Sequence, residues 1–211
     1  MRTAGTTSPV ILLLAAGEGS RFGGAKQLAD VGGEPMVRRV ARMLLDTETP
    51  VLAVTGAYAD EVEAVLDDLP LSLVRCEDWH LGMGQSLAAG ARELMHLFPH
   101  ASSVLVVLAD QPLLDIESLR SMLQRHALVP DRMLATQQHG TQGPPALFPR
   151  DCFDALAKLS GSHGARALLQ RNASRVELFT SHDSIDVDTK EDLQRVQALL
   201  AQGTQDPTPR D

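Results

Sequence analysis

The stretch that decides the fold is Val10-Ile-Leu-Leu-Leu14, followed directly by the glycine-rich segment Ala15-Ala-Gly-Glu-Gly-Ser-Arg-Phe-Gly-Gly-Ala-Lys-Gln27. The five apolar residues predict a buried β-strand, and the glycines mark its downstream end. In open α/β sheets, ligands bind beyond the carboxyl ends of the strands, which is where this loop must lie. Its small residues let backbone N–H groups converge on phosphate oxygens. Arg21 and Lys26 add two cations to the same loop.

Short apolar runs alternate with amphipathic stretches along the rest of the chain, which predicts a mainly parallel sheet with helices on both faces. The predicted strands are residues 10–14, 51–54, 71–74, 104–108, 133–136, 146–148 and 175–179. The predicted helices are residues 34–46, 59–69, 84–97, 116–127, 152–158, 164–171 and 190–200. We therefore expect a single three-layer, Rossmann-like α/β domain over residues 9–201.

Composition and charge limit the classes of partner. The chain has 211 residues, of which 44% are hydrophobic and 22% charged, as is typical of one soluble globular domain. The net charge of −8 and the aromatic content of 3% argue against nucleic acid and membranes as partners. Both of these partners attract basic surfaces, and single-stranded nucleic acid also requires stacking aromatics.

The sequence favours a cytoplasmic protein. The apolar run at residues 10–16 is too short to span a bilayer and lacks the basic head and cleavage site of a signal peptide. Cys76 and Cys152 have no metal-ligand spacing and are predicted to be reduced thiols. Residues 1–8 and 202–211 are polar and rich in small residues or proline, so we expect both tails to be disordered.

Several interpretations compete for the glycine-rich loop. Residues 17–23 match G-x-G-x-x-x-G, but the second strand ends Val-Thr-Gly at 54–56, without the acidic residue that holds a ribose in dinucleotide-binding proteins. An NADP enzyme could dispense with that acid, so an NAD(P)-dependent oxidoreductase stays open. A P-loop is excluded because Lys26 follows alanine and precedes glutamine. The loop could instead cradle a triphosphate, with Arg21 and Lys26 neutralising the β- and γ-phosphates, or merely carry two solvated cations.

Two further segments place polar groups near the same edge of the sheet. Asp110 follows the strand at 104–108, where a carboxylate suits Mg²⁺; it could instead cap the next helix, although Asp115 is better placed to do so. The segment Gly82-Met-Gly-Gln-Ser86 begins a helix, and Ser86 is a candidate cap. The free N–H groups of its first turn are possible donors to a nucleotide, but an ordinary helix start explains the pattern equally well.

The segment Ser184-Ile-Asp-Val-Asp-Thr-Lys-Glu-Asp192 opens the last predicted helix. Thr189 or Asp188 is the predicted cap, and the acidic residues at 191 and 192 favour the positive end of the helix. Capping alone explains most of this segment.

Together these motifs resemble the MobA-like nucleotidyltransferases, and within them the molybdenum cofactor cytidylyltransferases. The similar segments are L-A-A-G-x-G-x-R-F-G-x-x-K at 14–26, G-M-G-x-S-L at 82–87, D-Q-P at 110–112 and D-x-D-T-x-E-D-L at 186–193. The resemblance covers residues 9–200. It implies Mg²⁺-dependent transfer of a nucleotidyl group to the phosphate of molybdopterin, with release of pyrophosphate. Ala15-Ala16, in place of an Ala-Gly-Gly loop, resembles the branch that uses CTP. A molybdoenzyme or its maturation chaperone would receive the product.

The resemblance also implies a role for each motif. The implied catalytic residues are Arg21, Lys26 and Asp110. The implied magnesium ligands are Asp110 and Asp188. The implied nucleotide-binding residues are Leu14, Ala15, Ala16, Gly17, Gly19, Lys26, Thr55, Gly56, Gly82, Gly84 and Ser86.

The acceptor-facing part of the chain is expected at roughly residues 130–180. There the resemblance implies acceptor contacts from Gly143, Pro145 and Arg166. Two positions depart from the family pattern: Pro144 stands where His or Asn is common, and Ser162 stands where Asp is usual. A different phosphorylated acceptor, or a non-catalytic cofactor carrier that retains the fold, therefore remains an alternative.

Overall fold

The structure, a computed structural model, describes residues 8–138, 140–162, 164–180 and 185–203. The two tails predicted to be disordered lie outside these ranges, apart from residue 8 and residues 202–203. The last helix continues to Gly203, beyond its predicted end at residue 200. In the described part of the chain, no helix is both long and apolar enough to cross a lipid bilayer.

Seven strands and seven α-helices are described. The strands are β1 (Pro9–Leu14), β2 (Val51–Thr55), β3 (Ser72–Arg75), β4 (Ser103–Leu108), β5 (Met133–Gln138), β6 (Thr141–Pro149) and β7 (Val176–Thr180). The helices are α1 (Met36–Leu45), α2 (Ala59–Ala64), α3 (Met83–Leu97), α4 (Ile116–Leu128), α5 (Phe153–Leu156), α6 (Arg166–Arg171) and α7 (Lys190–Gly203). Short 3₁₀ turns lie at Lys26–Leu28, Trp79–Leu81, Arg150–Cys152 and Ala173–Arg175.

The strands form one sheet in the order β3-β2-β1-β4-β6-β5-β7. Only β6 runs against its neighbours, pairing antiparallel with both β4 and β5. The prediction of a mostly parallel sheet is confirmed. Since β1, β2 and β4 are parallel, their carboxyl ends lie side by side along one edge of the sheet.

Strand β1 lies inside the sheet between β2 and β4 and is covered on both faces. Ile11 and Leu13 pack against α1, α2 and α4, whereas Leu12 and Leu14 pack against α3, α5 and α6. A strand that is buried on both faces needs an unbroken apolar run, which is why the alternation typical of half-exposed strands is absent here. The predicted three-layer α/β architecture is therefore confirmed.

The prediction of a helix over residues 59–69 is wrong in its second half. Helix α2 ends at Ala64. In a longer helix the carbonyl of Val65 would accept the N–H of Leu69. Instead, the Arg38 guanidinium donates to that carbonyl at 2.8 Å and also pairs with Asp68, while the Leu69 N–H bonds to Leu66. A tertiary contact therefore competes with the helical hydrogen bond.

Candidate active site

A cleft of about 950 Å³ opens at the carboxyl ends of the parallel strands. Its walls come from the glycine-rich loop after β1, the first turn of α3, the residues after β4, strand β6 and the segment 186–188. The volume lies in the range of small-molecule sites. The sequence placed its candidate site at this same edge of the sheet.

Lys26 lies at the centre of the polar part of this cleft. Its Nζ atom is 2.7 Å from Asp110 Oδ2 and 3.0 Å from Asp188 Oδ1, and it donates to the carbonyl of Val187 at 3.1 Å. The Val187 N–H donates in turn to the carbonyl of Asp110 at 2.8 Å. Two aspartates that are far apart in sequence therefore meet at one ammonium group.

This arrangement favours the protonated, positively charged form of Lys26. Burial by itself lowers the pKa of the ammonium, but the charges and hydrogen bonds of Asp110 and Asp188 outweigh it and raise the pKa above its usual value. Arg21 is the second cation, and its guanidinium lies 2.7 Å from Asp188 Oδ2. Because the Arg21 side chain is 78% exposed, this pair adds little to folding stability and remains accessible to a ligand.

The competing capping roles of the two aspartates are taken by other residues. Asp115 caps α4 by accepting the N–H groups of Glu117 and Ser118. Thr189 and Asp192 form a reciprocal capping box at the start of α7, with their side chains bonded to each other's N–H groups at 2.9 and 3.2 Å. Asp110 and Asp188 are therefore not needed as helix caps, and both line the cleft.

The two aspartates have the chemistry to hold a divalent cation that arrives with a phosphorylated ligand. Asp110 Oδ1 is buried and has no hydrogen-bond partner in the described part of the chain. In the described ranges, no group of three or more His, Cys, Asp or Glu residues could hold a metal ion. An ion held by Asp110 and Asp188 would therefore need further ligands from its surroundings. Mg²⁺ commonly uses one or two carboxylates and takes its other ligands from substrate phosphates and water. Asp110 and Asp188 would therefore be the protein ligands of such an ion.

The glycine-rich loop is shaped by one turn and one buried side chain. Gly19 has a φ of 70°, and its carbonyl accepts the N–H of Gly23 at 2.9 Å, which closes the turn. Gln27 is 2% exposed and its amide donates to the carbonyls of Ala15 and Gly17. Gln27 therefore holds the start of the loop, a role that sequence reasoning missed because any polar residue would fit the pattern there.

Most of the residues predicted to bind the nucleotide line the cleft. These are Leu14, Ala15, Ala16, Gly17, Gly19, Lys26, Gly82 and Ser86. Thr55 and Gly56 lie elsewhere: the Thr55 side chain is fully buried and its hydroxyl donates to Glu63 Oε1 at 2.7 Å. Gly56 packs so closely against Ala16 and Trp79 that a Cβ atom would lie 2.7–2.8 Å from them. The structure thus gives both residues a packing role.

Helix α3 begins differently from the prediction. It starts at Met83 with Gly82 at the N-cap, so Ser86 lies inside the first turn and does not cap the helix. Gly84 is outside the cleft lining and packs on the loop at 160–162, donating its N–H to the carbonyl of Gly161 at 2.8 Å. A Cβ atom on Gly84 would lie 2.7 Å from the backbone of Ser160. The need for glycine at 84 therefore comes from this close packing.

Gly143 and Arg166, which were predicted to contact the acceptor, line the cleft together with Pro144, and Arg166 is exposed at the start of α6. Pro145, which was predicted to contact the acceptor, is buried and lies outside the cleft lining. Proline at 144 leaves its carbonyl available, and Gln111 binds this carbonyl at 3.3 Å.

Two cleft residues that sequence reasoning missed are Gln111 and Asp186. The Gln111 amide donates to Asp186 Oδ1 at 2.9 Å. Loss of hydration raises the pKa of Asp186, and the negative charges of Asp110 and Asp188 act in the same direction. Side chains two residues apart in an extended segment point the same way, so the D-x-D spacing could have indicated Asp186.

A parallel sheet that gathers a glycine-rich loop, a lysine and two carboxylates at one edge defines an enzyme that handles phosphorylated ligands. The chain belongs to the MobA-like NTP transferase domain family, whose model matches residues 11–176. It is thus an enzyme of the nucleotidyltransferase class.

Two relatives are similar in sequence, and one solved structure is similar in fold, over nearly the whole chain. The purine catabolism protein PucB of Bacillus subtilis is 29% identical over 92% of this chain and 99% of its own length. Nicotine blue oxidoreductase of Paenarthrobacter nicotinovorans is 33% identical over 88% of this chain and 94% of its own length. A nucleotidyl transferase from Methanothermobacter thermautotroptrophicus shares the fold, with a TM-score of 0.80, 18% identity, and coverage of 93% of this chain and 99% of its own.

Proposed function

We propose that this enzyme transfers CMP from CTP to the phosphate of a molybdopterin-type acceptor in a Mg²⁺-dependent reaction that releases pyrophosphate. The observation that carries the proposal is the position of Lys26 Nζ, 2.7 Å from Asp110 and 3.0 Å from Asp188, beside the glycine-rich loop. The base and the acceptor rest on the resemblance of the motifs to the molybdenum cofactor cytidylyltransferases.

The reaction needs no covalent enzyme intermediate. An oxygen of the acceptor phosphate forms a bond to the α-phosphorus of CTP, and the bond from that phosphorus to the bridging oxygen breaks, so that pyrophosphate leaves. The obstacle is the approach of one anion to another. Asp110 and Asp188 would hold Mg²⁺, which would supply positive charge to the phosphates.

The chain's own groups contribute charge and position. Lys26 and Arg21 neutralise the phosphate oxygens and the charge that develops on the leaving pyrophosphate. The N–H groups of the glycine-rich loop hold the triphosphate in line with the acceptor. Because phosphoryl-type transfer demands little covalent chemistry from the protein, positioning and electrostatics suffice.

The direct test measures pyrophosphate release with each of the four common ribonucleoside triphosphates, with Mg²⁺, and with or without molybdopterin. We expect release only with CTP and acceptor together.

Asp110→Ala should abolish transfer without unfolding the chain, because it removes the proposed metal ligand and a partner of Lys26. Asp115→Ala is the matched control. It removes the cap of α4, which lowers stability by roughly 1 kcal/mol, and should leave turnover intact. Mg²⁺-dependent turnover by the Asp110→Ala variant would refute the assignment.

An NAD(P)-dependent oxidoreductase is the second candidate, because one relative of high coverage carries the name nicotine blue oxidoreductase. The carboxylate beside the end of β2, Glu63, accepts hydrogen bonds from Arg75 at 2.8 and 2.7 Å, which leaves it poorly suited to hold a ribose. Calorimetric titration with NADPH, and separately with CTP plus Mg²⁺, distinguishes the oxidoreductase from the nucleotidyltransferase. Binding of CTP without pyrophosphate release would instead indicate the non-catalytic carrier.

A further inference from the structure

Three buried oxygen atoms in the cleft lining have no hydrogen-bond partner among the residues that the structure describes. They are Gln27 Oε1, Asp110 Oδ1 and Gln111 Oε1, and all three can only accept. An unpaired buried acceptor is unfavourable, and native proteins satisfy nearly all such groups. The Asp110 oxygen fits the proposed role of a metal ligand, but Gln111 contacts Pro144, in the part of the cleft where the acceptor is proposed to bind, and needs another explanation.

The orientation of the Gln111 amide is fixed by its surroundings. The side chain is 1% exposed, and its nitrogen donates to Asp186 Oδ1 at 2.9 Å and to the Pro144 carbonyl at 3.3 Å. An amide nitrogen has two hydrogens, and both are used. Reversal of the amide would set its oxygen against a carboxylate and a carbonyl, so the oxygen must be the atom left without a partner.

The groups around Gln111 Oε1 also favour a ligand that donates hydrogen bonds. Gln111 Oε1 and the Asp186 carboxylate are neighbouring acceptors, and a carboxylate that accepts one hydrogen bond retains capacity for others. Pro144 forms the adjoining wall and has no N–H to offer. A ligand that bonds to both Gln111 Oε1 and Asp186 must therefore present two adjacent hydrogen-bond donors.

We propose that Gln111 and Asp186 recognise the donor edge of the acceptor, an amino group beside a ring N–H as in a 2-amino-4-oxopyrimidine ring. This inference rests on the proposed function for the phosphate end of the acceptor and adds the recognition of its ring. Asp186 holds the Gln111 amide in place and accepts the second donor. A ring with an oxo group in place of the amino group would set an acceptor against an acceptor.

Calorimetric titration of the full chain with pterin and with lumazine, its 2-oxo analogue, tests the proposal without nucleotide or turnover. We expect the chain to bind pterin about 10- to 100-fold more tightly, the range that an unpaired buried polar group produces. Gln111→Met should remove this preference. Gln142→Met, a substitution of another glutamine of the cleft lining, should keep it.

Asp186→Asn retains the acceptor for the Gln111 amide but weakens the second one, so it should retain only part of the preference even if Gln111→Met disturbs folding. Equal binding of the two probes by the unmodified chain, binding of neither, or an unchanged preference in both Gln111→Met and Asp186→Asn would overturn the proposal. Failure of pyrophosphate release with an intact pterin preference would count against the proposed transfer reaction alone.

Discussion

Lys26 and Arg21 belong to the same glycine-rich segment, but their surroundings differ. The side chain of Lys26 is 13% exposed and contacts two aspartates, whereas that of Arg21 is 78% exposed and contacts one. A cation in a site that excludes water stabilises developing charge more strongly than one in solvent. We therefore expect Lys26→Met to lower kcat about 10²–10³-fold and Arg21→Met to lower it less.

Steady-state pyrophosphate release with saturating CTP measures both effects. Lys158→Met, which changes a lysine outside the cleft lining, is the control and should match the unmodified chain. A larger loss for Arg21→Met than for Lys26→Met would show that the exposed cation carries the catalytic charge.

At the scale of single residues, the sequence predicted those site members whose position follows from topology. Lys26 and Asp110 follow the carboxyl ends of parallel strands, which must lie at one edge. Thr55 is the last residue of such a strand, but its hydroxyl donates to Glu63. Whether a side chain turns into a cleft or away from it depends on partners that are distant in sequence, and no local pattern specifies them.

Among the elements, α3 makes a close contact with the loop that precedes α6. A Cβ atom on Gly84 would lie 2.7 Å from the Ser160 carbonyl carbon and oxygen, which are backbone atoms that cannot rotate away. Gly84→Ala should therefore lower the free energy of unfolding by roughly 1–3 kcal/mol, despite the higher helix propensity of alanine. The shifted loop leads to Arg166, so the KM of the acceptor should rise more than that of CTP.

Urea unfolding and separate KM measurements check this expectation. His96→Ala, an exposed substitution on the same helix, should change stability by less than about 0.5 kcal/mol and leave both KM values unchanged. Equal stability of the Gly84→Ala and unmodified proteins would show that the loop accommodates the methyl group.

Helix α4 carries a buried histidine that makes stability depend on pH. Burial lowers the pKa of His126, and this outweighs the backbone of Arg132 and the charge of Asp131, which raise it. The unfolded chain therefore takes up the proton first as the pH falls. The free energy of unfolding should decrease below the ordinary histidine pKa, by at most about 1.4 kcal/mol per pH unit, and level off below the folded-state pKa.

Comparison with His126→Leu isolates this effect, because the other titrating groups are shared. Urea denaturation at pH 7.5 and at pH 5.5 should show a greater loss of stability for the unmodified chain than for the variant. Identical losses would mean that His126 gains its proton without penalty in the folded state.

At the same scale, the strongly apolar strands were predicted closely, whereas element ends and strand order were not. The run at 104–108 fixes β4 because such a run is stable only inside a covered sheet. The order β4-β6-β5-β7 places β6 between β4 and β5, and it depends on antiparallel pairing that short apolar runs do not encode. The early end of α2 depends on Arg38, which comes from another helix.

Considered as a whole, the molecule is acidic, with a net charge of −8, yet its cleft must accept a polyanion. Four carboxylates, Glu18, Asp110, Asp186 and Asp188, line the cleft with three cations, Arg21, Lys26 and Arg166. Without a divalent ion, the negative net charge of the molecule and the excess of carboxylates over cations in the cleft both repel a triphosphate. The affinity of the folded chain for CTP should therefore depend on Mg²⁺.

A ligand that binds only the folded state raises its stability, by about 2.7 kcal/mol at a concentration 100 times Kd. For a domain of this length that corresponds to a rise in Tm of roughly 5–11 °C. We expect this rise with CTP plus Mg²⁺, and a much smaller one with CTP plus EDTA. Asp110→Ala should lose the Mg²⁺-dependent part of the rise, because the ion would then lack one of its two protein ligands, whereas Asp115→Ala should keep it from a lower starting Tm. Differential scanning calorimetry measures both quantities, and an equal rise with Mg²⁺ and with EDTA would mean that the nucleotide binds through the loop and its cations alone.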